Sequence, residues 1–542
     1  MRIRLILLAL IAALTCPVLP SNAQAGATLR LATPVLAPPD LASLPLLDLD
    51  GRDLAENLYA GLFRYDAATH SALPVLAESW TTSADGLTWT LTLRDDIFWV
   101  RADPVSGQIA ALRPVTAADV VYALRRACHP LKATPASPAV YVIAGCRMAL
   151  QTNPLLVTDA LVERWVQVEA PDESTLVLHL AFPATYLPSL LTLPEFRPLP
   201  PEAVEGRAGW SMVGSGPYTL TAWTPGQGMT LARNPFWPEA LPGNVALVEV
   251  IFAADPVARA EMFARGEVQF TRLGSDAGAA ANVLVRRGLT TTLLGFSTER
   301  AFVREVKVRQ ALAWAIDREA LRTVVGAERA LPATTLTPPG VIAGPLVESG
   351  VGFAPEAARA ALAEAGYAGC TGVPERVELL APPSAAPLAQ ALIGQWAAVL
   401  GCDPNLFTVR AQEEEALRAV ARNLLDAGQG IARSHLWITS WTITYPDAQA
   451  GAADALHCRY GMFVSGLGCT PLDDLIELAG SGPSATERPA LYARLEARYF
   501  GPAGEYPAVP LLATVEALGV SPDLRGVPDS GPAWWGAWEV LR

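Results

Sequence analysis

"VALVEVIFAADPVARAEMFARGEVQF", residues 245–270, contains two periodicities in one short stretch. The run from Val245 to Phe252 is apolar and β-branched, as a buried strand is. Asp255-Pro256 then opens a helix, because proline is tolerated in the first turn and aspartate caps the free amides before it. Gly266 closes the helix, and a second strand leads to Phe270. A helix between two strands implies a crossover connection, which parallel strands require. At least one sheet of this chain therefore contains parallel pairs, and the class is α/β.

The same grammar extends in both directions. In "LTWTLTL" (87–93) Leu87, Trp89, Leu91 and Leu93 alternate with threonines, the pattern of a half-buried strand. "PVTAADVVYALRRA" (114–127) follows, with Thr116 as N-cap, Asp119 three residues on, and Val120, Val121 and Leu124 at helical spacing. "STLVLHLAF" (174–182) is a further strand. "VRQALAWAIDREALRTVV" (308–325) puts Val308, Leu312, Ala315 and Ile316 on one stripe. "APEAARAALAEAGY" (354–367) starts at Pro355 and stops at Gly366, and "AAPLAQALIGQWAAVLGC" (385–402) ends at Gly401. Residues 100–114 read as an inserted surface loop.

The chain has 542 residues, 51% of them hydrophobic and 17% charged, so large cores can form. Its formal charge of -13 argues against a nucleic-acid backbone as partner, because phosphate binding needs a basic face. Arg2 and Arg4, the apolar run Leu5–Leu14 and the small residues Ala23 and Ala25 form a cleavable export signal over residues 1–25. The apolar run is shorter than the ~20 residues of a membrane span. The mature chain is expected outside the cytoplasm, in the periplasm or at the cell surface. Cys16 lies between Thr15 and Pro17, which suit a lipid-modified cysteine poorly.

Six further cysteines fall as three couples close in sequence: Cys128 and Cys146, Cys370 and Cys402, Cys458 and Cys469. In an exported chain an even number reads as disulfides, and these couples are the expected pairs. No C-x-x-C spacing occurs, so no metal site is expected.

Recognisable catalytic machinery is missing from the sequence. "VGSGPY" has Val213 where a nucleophile elbow needs its first glycine. No H-E-x-x-H or G-K-[ST] motif occurs. The neighbouring acids Asp95-Asp96, Asp473-Asp474 and Glu413–Glu415 read as solvated faces. Tryptophans stand out instead: fourteen in all, several in polar surroundings, including Trp210, Trp223, Trp237, Trp396, Trp437 and Trp441. Apolar walls with a few polar anchors are how small-molecule clefts are built.

An ordered series of motifs resembles the family 5 bacterial extracellular solute-binding proteins, the oligopeptide- and dipeptide-binding receptors of ABC importers. The series runs "ENLYAGLFRYD" (56–66), "PVLAESW" (74–80), "DGLTWTLTLRDDIFW" (85–99) and "PVTAADVVYALRRA" (114–127). It continues with "VGSGPYTLTAW" (213–223), "LARNPFW" (231–237), "VKVRQALAWAIDREAL" (306–321), "AEAGY" (363–367), "WTITYPDA" (441–448) and "LDDLIELA" (472–479). The resemblance implies a two-lobed, periplasmic-binding-protein-like α/β fold with mixed sheets, an extra inserted domain and a ligand cleft between the lobes. Lobe I would take 27–55, 165–290 and 506–542, the inserted domain 56–164, and lobe II 291–505, with hinges near 290 and 505. The implied function is capture of a small, peptide-like solute and its delivery to a membrane permease, by a monomer without cofactor or catalysis. An exported hydrolase with unrecognised catalytic residues is the other reading.

The resemblance also indicates the site. "SWTITYPDA" (440–448) reads as a strand over 440–445, with Trp441 and Tyr445 on one face and Thr442 and Thr444 on the other. Peptide receptors of this family usually carry at Thr444 an aspartate that pairs with the ligand's α-amino group. A hydroxyl compensates a buried ammonium far less than a carboxylate does. The expected ligand contacts are Trp441, Thr444, Tyr445, Asp447 and Trp437.

Overall fold

The structure is a computed structural model that describes residues 26–34, 49–132, 138–207, 212–273, 282–344, 348–421, 434–459, 461, 463, 469–482 and 486–541. The export signal, Cys16 and Trp210 lie outside the described residues.

One eleven-stranded mixed sheet runs through the described residues. It begins with Tyr218–Thr224, Gly228–Arg233 and Val245–Phe252, and continues through Ala27–Thr33, Phe270–Leu273 and Ala508–Val520. Val283–Phe296, Leu436–Thr442, Val377–Ala381 and Phe407–Ala411 complete the order, and Ala330–Pro332 pairs with Ala508–Val520. The unit at 245–270 forms as its sequence predicts. Asp255 Oδ1 accepts the Val257 amide at 2.9 Å, and the helix Pro256–Ala264 is followed by Gly266 at φ 71°. Ala27–Thr33 inserts between the two strands of that unit and pairs parallel with both.

Two large cores lie along this sheet. Leu29, Trp99, Val248 and Trp538 belong to one; Leu294, Trp396, Trp437 and Tyr492 belong to the other. Two long antiparallel strands, Val283–Phe296 and Ala508–Val520, pass from core to core. Leu284 and Leu518 pack with the first, Leu293 and Val509 with the second. Their ladder breaks register between Arg287 and Thr291. There Gly288 lies so close to its neighbour that a Cβ would stand 2.3 Å from Thr514 Oγ1. The second crossing thus falls within Ala508–Val520, beyond the position 505 expected from the sequence.

Three other local expectations are corrected. The segment 100–114 is mostly a β-hairpin, Phe98–Ala102 against Ile109–Pro114, closed where Asp103 Oδ1 accepts the amides of Val105 and Ser106. The sheet containing Ala77–Thr82 and Thr88–Leu93 also takes Val168–Glu169 and Thr175–His179, so a boundary at 164 would cut it. The stripe at 308–325 is two helices, Val306–Trp314 and Arg318–Val325, because Asp317 caps the second by accepting the Ala320 amide. Thr116 and Asp119 do form the expected reciprocal cap. The disulfides join Cys128 to Cys146, Cys370 to Cys402 and Cys458 to Cys469, with Cα–Cα distances of 5.0, 4.9 and 5.0 Å.

Candidate functional site

The segment after Leu436 is where the two cores meet. The strand Leu436–Thr442 pairs with Val283–Phe296 from Phe296↔Leu436 to Thr290↔Thr442 and stops there. The sequence expectation of a strand to 445 fails for a physical reason. Pro446 has no N–H to donate, and beyond Thr291 the partner strand's other ladder, with Ala508–Val520, also breaks register. Only the Ile443 amide, bonded to Leu289 O, follows the ladder further. The alternation of faces therefore does not reach Thr444 and Tyr445.

The five expected contact residues occupy different environments. Trp437 is fully buried, stacked on Phe463 at 5.5 Å and packed over Gly295, where a Cβ would come within 1.9 Å of the indole. That side chain is core. Trp441 is partly buried and packs against both cores, while its Nε1 donates to Ala450 O at 3.2 Å. Thr444 is partly buried in the bend after the strand. Tyr445 is buried and stacks on Tyr186 at 6.0 Å, so its ring joins the first core although its chain segment leaves the second.

Asp447 is an internal hub. It is fully buried and accepts Arg488 Nη2 at 2.6 Å, Arg488 Nη1 at 3.0 Å and Ser189 Oγ at 2.7 Å. Its other work is to cap the helix Ala448–Leu456 by accepting the Gln449 amide at 2.9 Å. Ser189 belongs to the helix Leu187–Leu190 beside the first core, and Arg488 opens Arg488–Phe500 in the second. Nearby, Thr185 donates to Gly480 O through both its amide (2.8 Å) and its hydroxyl (2.9 Å). Arg488 also donates to Tyr492 Oη at 3.2 Å, and Tyr492 donates to Gln449 Oε1. All of Asp447's hydrogen bonds named here are made within the protein.

Sequence reasoning missed Ser189, Tyr186, Arg488 and Asp454. The first three carry no local signal, since each matters only through the segment folded against it. Asp454 does carry one: it is the single acid within "AQAGAADAL". Its carboxyl accepts a hydrogen bond from Tyr445, and burial, reinforced by the Asp447 charge, lifts its pKa to about 7. Asp473, expected on a solvated face, is buried: it accepts the Thr470 and Cys458 amides at 2.6 and 2.8 Å. Its neighbour Cys458 is committed to a disulfide, so its cluster with His457 offers no free thiolate to a metal.

A cavity of about 830 Å³ lies apart from this segment, walled by residues between Ala118 and Glu205. Two ion pairs line it, Arg125 with Glu163 and Lys132 with Asp159. The described residues include no helix long and apolar enough to cross a membrane.

Comparison with known proteins gives this geometry a context. The oligopeptide-binding protein OppA of Escherichia coli is 29% identical over 335 residues, covering 58% of each chain. The dipeptide-binding protein DppE of Bacillus subtilis is 25% identical over 295 residues, covering 52% of this chain and 51% of its own. The match thus spans between half and three-fifths of these relatives. Among solved structures, the murein tripeptide-binding protein MppA in an unliganded open form superposes with a TM-score of 0.78 at 20% identity. That superposition covers 95% of this chain and 97% of the other, and it shows a shared two-lobed fold. The family model of the bacterial extracellular solute-binding proteins, family 5 Middle, matches residues 72–462. With that match over most of its length, the chain belongs to the family 5 bacterial extracellular solute-binding proteins.

Proposed function

We propose that this protein is the extracytoplasmic receptor of an ABC importer, which captures a small peptide-like solute between its lobes and presents it to a membrane permease. The observation that carries this reading is the segment 441–447. There Trp441 touches both cores and Tyr445 packs on Tyr186 of the opposite one, at the junction that the two long strands cross. Two strands with a register break between them form a hinge of the kind that lets rigid lobes close on a ligand. One lobe takes 27–55, the chain from about 180 to 290 and the chain beyond the crossing within Ala508–Val520; the other takes 291 up to that crossing, and 56 to about 180 forms the added domain with its four-stranded sheet. Export by residues 1–25 delivers the chain to the compartment where its disulfides form.

Trp441 is the apolar wall of the site and Thr444 a neutral hydrogen-bonding group at its edge. Trp437, being core, supports the wall without touching the ligand. The named relatives bind dipeptides and oligopeptides, which sets the solute class. No covalent step is involved; binding and closure are the whole function. The test is to denature the purified protein, identify released solutes by mass spectrometry, and add them back to refolded protein in a calorimeter. Recovery of an unchanged peptide-like solute that rebinds is the expected result. Turnover of that solute, surviving repurification and lost in one point variant, would establish the hydrolase reading instead.

A further inference from the structure

The cavity of about 830 Å³ lies where the added domain meets the helix Pro201–Val204, apart from the segment 441–447. Its volume falls within the roughly 300–1,000 Å³ of small-molecule sites. One wall is the helix Ala117–Ala127, whose Ala118, Val121, Tyr122, Arg125 and Arg126 form a single stripe at helical spacing. Opposite stand Val162 of the helix Asp159–Trp165, Ala170 after the strand Val168–Glu169, and Val204. Residues outside the lining hold these walls together. Arg113 reaches both Asp119 and Glu202 at 2.8 Å, and the Leu199 amide donates to Asp119 O at 3.2 Å.

Two of the three lysine and arginine side chains in the lining are committed, Arg125 to Glu163 at 3.0 Å and Lys132 to Asp159. His129 is held neutral by burial, which lowers its pKa. Arg126 is the third cation. Its guanidinium makes no ion pair or hydrogen bond with the described residues, and its Nε is buried without a partner. A buried donor in that state costs free energy until something accepts from it. One helical turn earlier stands Tyr122, on the same face. Its hydroxyl has no hydrogen-bond partner among the described residues and interacts with Arg126 and Glu205 only through their charges. Burial raises its pKa, so it remains a donor. A guanidinium and a phenol, both unused, thus share one face beside apolar walls. Four acids against three cations in the lining, with Glu169 and Glu205 added to the paired acids, form a balance that repels a dianion.

We infer that this cavity is a second ligand site, which takes an aliphatic monocarboxylate: the carboxylate on Arg126 and the Tyr122 hydroxyl, the hydrocarbon against Val121, Val162 and Val204. A planar guanidinium matches a carboxylate through two parallel N–H···O bonds, and a charged acceptor satisfies a buried donor better than a neutral one. Phosphate would bring a second negative charge toward Glu169 and Glu205. The site does not depend on the receptor reading, and no covalent step occurs in it. Its occupant touches the added domain through the helix Ala117–Ala127 and the adjoining lobe through Val204, so binding stabilises the seam between them by mass action.

The test titrates 4-methylpentanoate, 4-methylpentanamide and inorganic phosphate into the purified protein in a calorimeter, at neutral pH in a buffer free of carboxylates. The carboxylate is expected to bind, and the amide and phosphate at least about tenfold more weakly. Arg126→Gln should weaken the carboxylate about 10- to 100-fold, and Tyr122→Phe about 3- to 10-fold. Trp441→Ala, which alters the wall between the lobes, should leave its affinity for the carboxylate unchanged. Wild type that binds no carboxylate at millimolar concentration overturns the inference. So does binding that Trp441→Ala abolishes and Arg126→Gln keeps, which places the carboxylate between the lobes. Phosphate bound as tightly as the carboxylate overturns it too. If Arg126→Gln fails to fold, wild-type affinity for the carboxylate in Tyr122→Phe overturns the inference by itself.

Discussion

Asp447→Ala separates a structural aspartate from a ligand-binding one. The substitution removes two bonds from Arg488, at 2.6 and 3.0 Å, the bond from Ser189 and the cap on the Gln449 amide. Arg488, 3% exposed, would then be a buried cation without its partner. Breaking one side of a buried pair costs about 3–5 kcal/mol, and losing an N-cap costs about 1 kcal/mol more. The double variant Asp447→Ala/Arg488→Met leaves no stranded charge and replaces the guanidinium with an apolar side chain. Its cost should therefore fall at least about 2 kcal/mol short of the sum of the two singles, as coupled neighbours do. Urea denaturation of the four proteins supplies the cycle, and amide exchange across 445–456 shows whether the loss is local. Additive single costs, or an Asp447→Ala cost under about 1 kcal/mol, would refute the hub. Loss of ligand affinity at unchanged stability would restore Asp447 as a ligand contact.

Further measurements address other parts of the molecule. Because Asp454 holds its proton to about 7 in the folded state against 3.8 in the reference state, stability should fall as pH rises from about 4 to 7. Asp454→Asn should flatten that slope and raise stability at pH 8, by up to about 4 kcal/mol at about 1.4 kcal/mol per pH unit of difference; an unchanged urea midpoint at pH 8 would contradict it. Replacing both Cys128 and Cys146 by serine opens a loop of sequence separation 18 and should cost about 3 kcal/mol on the loop-entropy account, read as a lower urea midpoint. Thr444→Asp sets a new carboxylate beside Tyr445 and should weaken the co-purified solute about tenfold, since a ligand carbonyl that accepted from the threonine hydroxyl would face an acceptor and lose about 1–2 kcal/mol. Unchanged affinity in calorimetry would remove Thr444 from the site.

What was legible in the sequence is what is decided locally. The helix Pro256–Ala264 carries its own start and stop in Asp255 and Gly266, and Ala386–Leu400 likewise ends at Gly401, φ 77°. The disulfides join cysteines that chain proximity already made neighbours. The site was legible only in outline, because its decisive partners come from elsewhere in the chain. The strand at 436–442 ends at its pairing with Thr290, close to where Val283–Phe296 breaks register with Ala508–Val520, and nothing in "SWTITYPDA" reports that. Asp447 reads as a turn acid after proline until Arg488 and Ser189 close on it from the two sides. For Asp454 the signal was present, but a lone acid on an alanine helix ordinarily faces water. Its distinction is the company folding provides: Tyr445 as donor, Asp447 as like charge, Trp441 one turn away. A motif position such as 444 transfers a residue type between relatives, whereas recognition needs a charge at a point in space.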